Sequence, residues 1–103
     1  MDINRKQLAR QMAAERGWTI SAALQAVDDV TNTILDNLAA GNTVSIYGFG
    51  CFDVLARKEH VVPDRLTGEM KPVPAHWIPR FYPGERMRRI VKKLELEETG
   101  EVD

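Results

Sequence analysis

Two prolines, two residues apart, limit what the middle of this chain can become. Pro72 and Pro74 fall late in the stretch VSIYGFGCFDVLARKEHVVPDRLTGEMKPVPAHWIPRFYPG, residues 44–84. On a strand, residues i and i+2 turn their N–H groups to the same edge, so these prolines remove two donors from one edge. The other edge can still pair. This leg therefore bonds the leg before it and no third strand. The segment reads as a strand over about 43–47, a tight Gly48-Phe49-Gly50 corner, and a two-stranded ribbon. Its legs run roughly Arg57 to Leu66 and Thr67 to His76, with the turn near Leu66-Thr67-Gly68. A leg of about 10 residues spans on the order of 33 Å at ~3.3 Å per residue. An isolated ribbon is marginal in water, so a long one is an arm that something else completes.

The flanks read as helices. Asn4 with Gln7 three residues on has the pattern of a capping box. Leu8, Ala9, Met12 and Ala13 follow at helical spacing, and Gly17 supplies a left-handed stop on which Trp18 packs back. That predicts a helix over about 4–16. Thr19 or Ser21 caps a second helix over about 20–40, with Ile20, Ala23, Leu24, Val27, Val30, Ile34 and Leu38 on one stripe. At ~1.5 Å per residue it is about 30 Å long. One short helix cannot cover such a stripe, so a second copy of the chain is expected to help bury it. Phe49 and Phe52 read as core anchors, and Phe81 and Pro83 return the chain to the body. Glu85 opens a last helix with Met87, Ile90, Val91 and Leu94 inward. Arg86, Arg88, Arg89, Lys92 and Lys93 form its outer face.

Charge matters here through its position. The formal net charge of the 103 residues is −1, which by itself argues against a polyanion partner. Residues 1–54 carry 4 basic and 6 acidic groups, residues 55–94 carry 10 and 4, and residues 95–103 carry 5 acidic groups and no basic one. A basic ribbon and helix followed by an acidic end points to nucleic acid. The length fits one domain, 1–94, with the arm at about 55–80 and a disordered acidic tail at 95–103. No apolar run approaches ~20 residues and none follows the N-terminus as a signal core, so the expectation is a soluble, cytoplasmic protein without a membrane partner. The single Cys51 closes no intrachain disulfide, and no Cys/His cluster suggests zinc.

Helix, Gly, helix, then Gly48-Phe49-Gly50-x-Phe52, a ribbon with Thr67-Gly68 near its tip, then Pro79-Arg80-Phe81-Tyr82-Pro83-Gly84 and a basic helix: this order resembles the bacterial histone-like HU and integration host factor family, and aligns without gaps from Asn4 to about Leu94. The resemblance implies an α+β fold: an intertwined dimer with a helical body, a small β-sheet and long two-stranded arms. It implies a nucleoid-associated protein whose arms bind and bend duplex DNA through the minor groove. The expected dimer is of identical chains or of paralogues, with no cofactor and no small-molecule substrate. Carried over by position, Arg57 keeps a basic place on the arm, Arg88 and Lys92 keep places on the last helix, and Arg5 matches a basic residue at the start of helix 1. The remaining candidate contacts follow from the basic ribbon and helix: Lys58, His60, Arg65, Lys71, Arg80, Arg86 and Arg89. The chain also departs from the family. Where the family has Arg-Asn-Pro at the tip, with the proline as wedge between base pairs, this chain has Pro63-Asp64-Arg65. Arg65 takes the wedge position, and Leu66 is the apolar residue offered in the proline's place. The arm carries 5 basic and 3 acidic groups over 55–80, which is weak for the family.

Other chemistries have less behind them. His60 and His76 both lie on the arm and are not expected directly opposite each other, so they read as solvated or phosphate-adjacent rather than as metal ligands. Trp77 reads as packing where the ribbon leaves the body. Cys51 and His60 are ~30 Å apart by extension, too far for a nucleophile and its base. Gly48-Phe49-Gly50 is a corner without phosphate-loop spacing, and no catalytic constellation assembles. A helix-turn-helix after Gly17 would put Asp28, Asp29 and Asp36 on the recognition helix, against a polyanion. The competing reading is a dimerisation module of the same fold whose altered arm, with Val61-Val62-Pro63, docks a protein and binds DNA weakly or not at all. The acidic tail reads either as a solubilising end or as a competitor for the basic face.

Overall fold

The computed structural model describes residues 1–94. The acidic tail lies outside the described residues. The chain divides into two compact units, Met1–Ala40 and the part that begins at Gly41.

The first unit is a pair of helices, α1 (Arg5–Arg16) and α2 (Ile20–Ala39). The expected capping box is present: Gln7 N–H donates to Asn4 Oδ1 and Asn4 N–H donates to Gln7 Oε1, both at 2.9 Å. Gly17, at φ 70°, ends α1, and its N–H and that of Trp18 both reach Ala13 O. Thr19, not Ser21, caps α2 by accepting Ala22 N–H at 3.0 Å. Ala9, Ala13 and Ala23 meet at the centre, with Met12, Leu24 and Val27 packed around them. Their small size lets the two backbones approach. It also leaves the core thin: Ile20, Val30 and Leu35 are more than half exposed. Trp18 is 48% exposed, so its packing on the last turn is partial.

The second unit carries β1 (Val44–Ile46), β2 (Gly50–Arg57), β3 (His60–Pro63), β4 (Met70–Val73), β5 (His76–Pro83) and α3 (Glu85–Lys92). A three-stranded antiparallel sheet has the order β1-β2-β5, and β3 pairs only with β4. The distal arm is thus two strands wide, as the prolines require. Phe49, Phe52 and Phe81 cluster at its root, with ring centroids 4.7–6.5 Å apart. Gly50 is glycine because a Cβ there would lie 2.6 Å from the Phe81 ring and from Tyr82 O. Helix α3 ends at Lys92, so Leu94 falls past it, and Ile90 and Val91 are more than half exposed while Met87 is half-buried.

The legs are not the regular ladders that the sequence suggested. Pairing runs from Gly50↔Pro83 to Arg57↔His76, stops, and resumes from His60↔Val73 to Pro63↔Met70. The register is the same on both sides of the step, yet the hydrogen-bonding phase is not. Near the root, Gly84 N–H donates to Phe49 O at 2.8 Å, so odd-numbered residues of the first leg face their partners with bonding groups. Near the tip, Asp64 N–H donates to Glu69 O at 2.7 Å, so even-numbered ones do. The prolines enforce both phases. Pro79 and Pro83 must keep their missing donors on the outer edge of β5, and Pro72 must do the same on β4. Pro72 and Pro79 differ by an odd offset in the chain, so one continuous ladder cannot satisfy them. The conflict is resolved at residues 58–59 and 74–75, which pair with nothing in the ladder. Pro74 falls in that step rather than on a strand. The turn is also wider than expected and spans Asp64 to Glu69.

Candidate nucleic-acid interface

Asp64 builds the tip of the arm. Its carboxylate accepts Leu66 N–H at 2.8 Å and the Lys71 ammonium at 2.8 Å. Its backbone takes Gly68 N–H at 2.8 Å and donates to Glu69 O at 2.7 Å. The Lys71 contact and then the Leu66 N–H hold the Asp64 carboxyl below the usual carboxylate range. An aspartate that closes a turn on a backbone two residues ahead is ordinary turn chemistry. Here it leaves Leu66 at the apex, 95% exposed, with Arg65 beside it.

At the root, Arg80 lies across the ladder from Asp53 and grips it with two bonds of 2.9 Å. The pair raises the guanidinium's proton affinity further and holds the Asp53 carboxyl below its ordinary range. Arg80 also sits 5.1 Å from the centre of the Tyr82 ring. Residues whose backbone groups point at the partner leg share one face of a ribbon. Because the phase shifts at the step, Asp53, Arg57, His60 and Asp64 share that face with Arg80, His76 and Lys71. The opposite face carries Phe52, Phe81 and Trp77, then Val61, Pro72 and Met70. The first face carries the charged groups together with Leu55, Ile78, Val62 and Val73, and the other is apolar.

Two histidines flank the step. His60 Nδ1 is 3.0 Å from Lys58 O, and His76 Nδ1 is 2.9 Å from Pro74 O. They are not register partners, as expected, yet their ring centres are 6.5 Å apart.

Helix α3 starts at Gly84 with Glu85 in its first turn and Arg89 and Lys92 in its last, where cations complement the helix dipole. Arg86 and Arg89 border a groove with Ile46, Tyr47, Gly48 and Tyr82. Tyr47 is fully exposed there. Sequence reasoning placed Tyr47 only as a strand end and passed over Tyr82. An exposed aromatic beside the glycine corner was the available signal.

Ten of the candidate contact residues sit as follows: Arg57 at the end of the root ladder and Lys58 in the step after it, His60 and Lys71 on the distal arm, Arg65 and Leu66 at the apex, and Arg86, Arg88, Arg89 and Lys92 on α3. Arg80 belongs to the same unit. Arg5 belongs to the other, at the start of α1, where it grips Asp28 of α2 with bonds of 2.5 and 2.7 Å. That pair raises the affinity of Arg5 for its proton and lowers the Asp28 carboxyl. Arg5, Lys71 and Arg80 are thus engaged with carboxylates. No ion pair among the described residues holds the other basic candidates.

The family model described as bacterial DNA-binding protein matches residues 3–92. DNA-binding protein HU of Geobacillus stearothermophilus is 33% identical over 90 residues, which is 87% of this chain and 100% of that protein. Integration host factor subunit alpha of Methylococcus capsulatus is 26% identical over 103 residues, 100% of this chain and 94% of the relative. Among solved structures, an Anabaena HU–DNA cocrystal structure matches with a TM-score of 0.82 at 26% identity, covering 88% of this chain and 99% of that one.

Proposed function

We propose, from the premise that this chain belongs to the bacterial DNA-binding protein family and has the α+β fold of HU, that it is an architectural DNA-binding protein. It acts as a dimer over residues 1–94, in the nucleoid. Its arms lie along the minor groove of duplex DNA and bend it, and the cations of α3 and the arm root neutralise phosphates. The observation that carries this reading is the apex: Asp64 folds the turn so that an almost fully exposed leucine and an arginine lead the arm. Leucine is among the apolar side chains that minor-groove proteins insert between base steps. Exposure of a large apolar side chain at a tip is unfavourable in water and is relieved by a stacked base on each side. The second copy covers what the single chain cannot: Val30 and Leu35 on α2, and Ile90 and Val91 on α3. Exposed apolar residues grouped on helix faces are buried in oligomers.

The test combines binding and bending. The chain is titrated against a fluorescent duplex at two salt concentrations, and bending is read by energy transfer between the duplex ends. Each neutralised phosphate contributes a slope of about −0.9 in log affinity against log salt, so a steep slope is expected. Leu66→Ala is expected to bind within a few-fold of the parent and to bend less. Unchanged energy transfer removes Leu66 as the wedge.

A second reading has an observation of its own. Lys71 and Arg80 are tied to carboxylates, which weakens an already modest arm charge. A dimerisation module that docks a protein through the apolar arm face fits that balance. Such a module gives little affinity for the duplex and a flat salt dependence in the same titration.

A further inference from the structure

The unpaired step in the arm does more than reconcile prolines. In a ribbon of constant phase, His60 and His76 would lie on opposite faces, because Arg57, the partner of His76, is three residues before His60. The phase shift puts both on the charged face, and their ring centres come to 6.5 Å with planes 34° apart. Each ring is anchored in the same way, by Nδ1 on the carbonyl two residues before it in its own leg. A carbonyl only accepts, so each Nδ1 carries the hydrogen. The free lone pair of each ring is then on Nε2. This is the arrangement of a metal-ligating imidazole, whose second nitrogen donates to a carbonyl and so fixes tautomer and orientation.

We infer that His60 and His76 form a two-histidine site for a divalent first-row transition-metal ion across the unpaired step of the arm. Two rings that share an ion at about 2.0–2.1 Å per bond have centres about 5–6.5 Å apart, depending on the angle at the metal. The observed separation of 6.5 Å is at the wide end of that range, and binding requires a side-chain rotation that turns both Nε2 atoms toward one ion. His76 is exposed and His60 half-buried, which leaves room for that rotation. No third His, Cys, Asp or Glu joins them among the described residues. The remaining coordination positions fall to water. Imidazole donors select zinc, nickel or copper over magnesium or calcium. An ion here links the two legs where no backbone bond does, and so stiffens the arm at its weakest place.

The experiment needs no DNA, so its failure leaves the proposed function untouched. The full chain is titrated with Zn2+, Ni2+ and Mg2+ separately, by calorimetry and by the ring-nitrogen NMR signals of both histidines. The expected result is one saturable Zn2+ or Ni2+ per chain, with Nε2 of both rings shifted and Mg2+ without effect. His60→Gln and His76→Gln each abolish the transition, and Cys51→Ser retains it. The proposal is overturned by the absence of saturable binding, by a shift in one ring only, by retention in either glutamine variant, or by loss in Cys51→Ser.

Discussion

Gly50→Ala tests whether the corner at the arm's root is as tight as its geometry states. The new Cβ would stand 2.6 Å from two atoms of the Phe81 ring and from Tyr82 O. That falls 0.8 Å short of the 3.4 Å at which ordinary contact begins. Neither obstacle can step aside alone. Phe81 is wedged against Phe52, with centroids 4.7 Å apart. The carbonyl belongs to β5, which is in register with β2 from Gly50 onward. Relief must come from sliding the ladder or opening the phenylalanine cluster. Forcing a methyl into a packed site costs about 1–3 kcal/mol, and a backbone obstacle puts this case at the upper end. At about 4–8 °C per kcal/mol for a chain of this size, the melting temperature should fall by roughly 10–20 °C. Circular dichroism melts at one fixed chain concentration measure it, since association shifts the midpoint by mass action. Gly68→Ala is the internal comparison. Nothing lies within 4 Å of its Cβ, and only the left-handed backbone at φ +75° opposes it, a cost of about 1–2 kcal/mol. A Gly50→Ala chain that melts at or above Gly68→Ala would refute the reasoning.

Asp53→Asn removes the carboxylate that grips Arg80 and should make the salt dependence of DNA binding steeper by about 0.9 in slope; an unchanged slope means that Arg80 does not reach phosphate. The Asp64 carboxyl is lowered in the folded chain, so its contribution to the turn is complete above the usual carboxylate range and is lost as pH falls through the lowered value. The amide signal of Leu66 should therefore hold its position through the ordinary carboxylate range and move only in stronger acid, and movement within that range contradicts the assignment. Deletion of 95–103 removes 5 acidic groups and should tighten duplex binding, most visibly at low salt; equal affinity would leave the tail no part in competition.

Much of the fold was legible because local chemistry announces it. Asn4 and Gln7 mark one helix start, Gly17 its end, and the α2 stripe needs cover from outside. The interrupted arm was legible too, in a way that one strand at a time conceals. Pro72, on β4, fixes the phase of the tip, while Pro74 falls in the step. Pro79 and Pro83 fix the phase of the root. Only the comparison of Pro72 with Pro79 and Pro83 shows that the phases clash, and so that the ladder must break between them. The ion pairs of Arg5 and Arg80 were not legible. They depend on which carboxylate stands across a helix pair or a ladder, and a count of charges cannot see that.

Those pairings change where the positive charge acts. With Lys71 and Arg80 held on the arm, the cations of the second unit that form no ion pair among the described residues collect at three places: Arg57 and Lys58 by the step, Arg65 at the apex, and the outer face of α3. The shaft between step and apex offers mainly His60, Val61, Val62, Val73 and paired charge. Under the proposed function, an arm built this way is expected to make few phosphate contacts along its shaft. In that proposal the arm contributes shape and an apolar leading residue, and the root and α3 contribute the electrostatic attraction. Electrostatic affinity and bending are therefore expected, under that proposal, to separate in this chain. Substitutions on α3 should act on affinity and its salt dependence, and substitutions at the apex on the angle of the bound duplex. That separation follows from one aspartate, Asp64, which spends its charge on Lys71 and its geometry on Leu66.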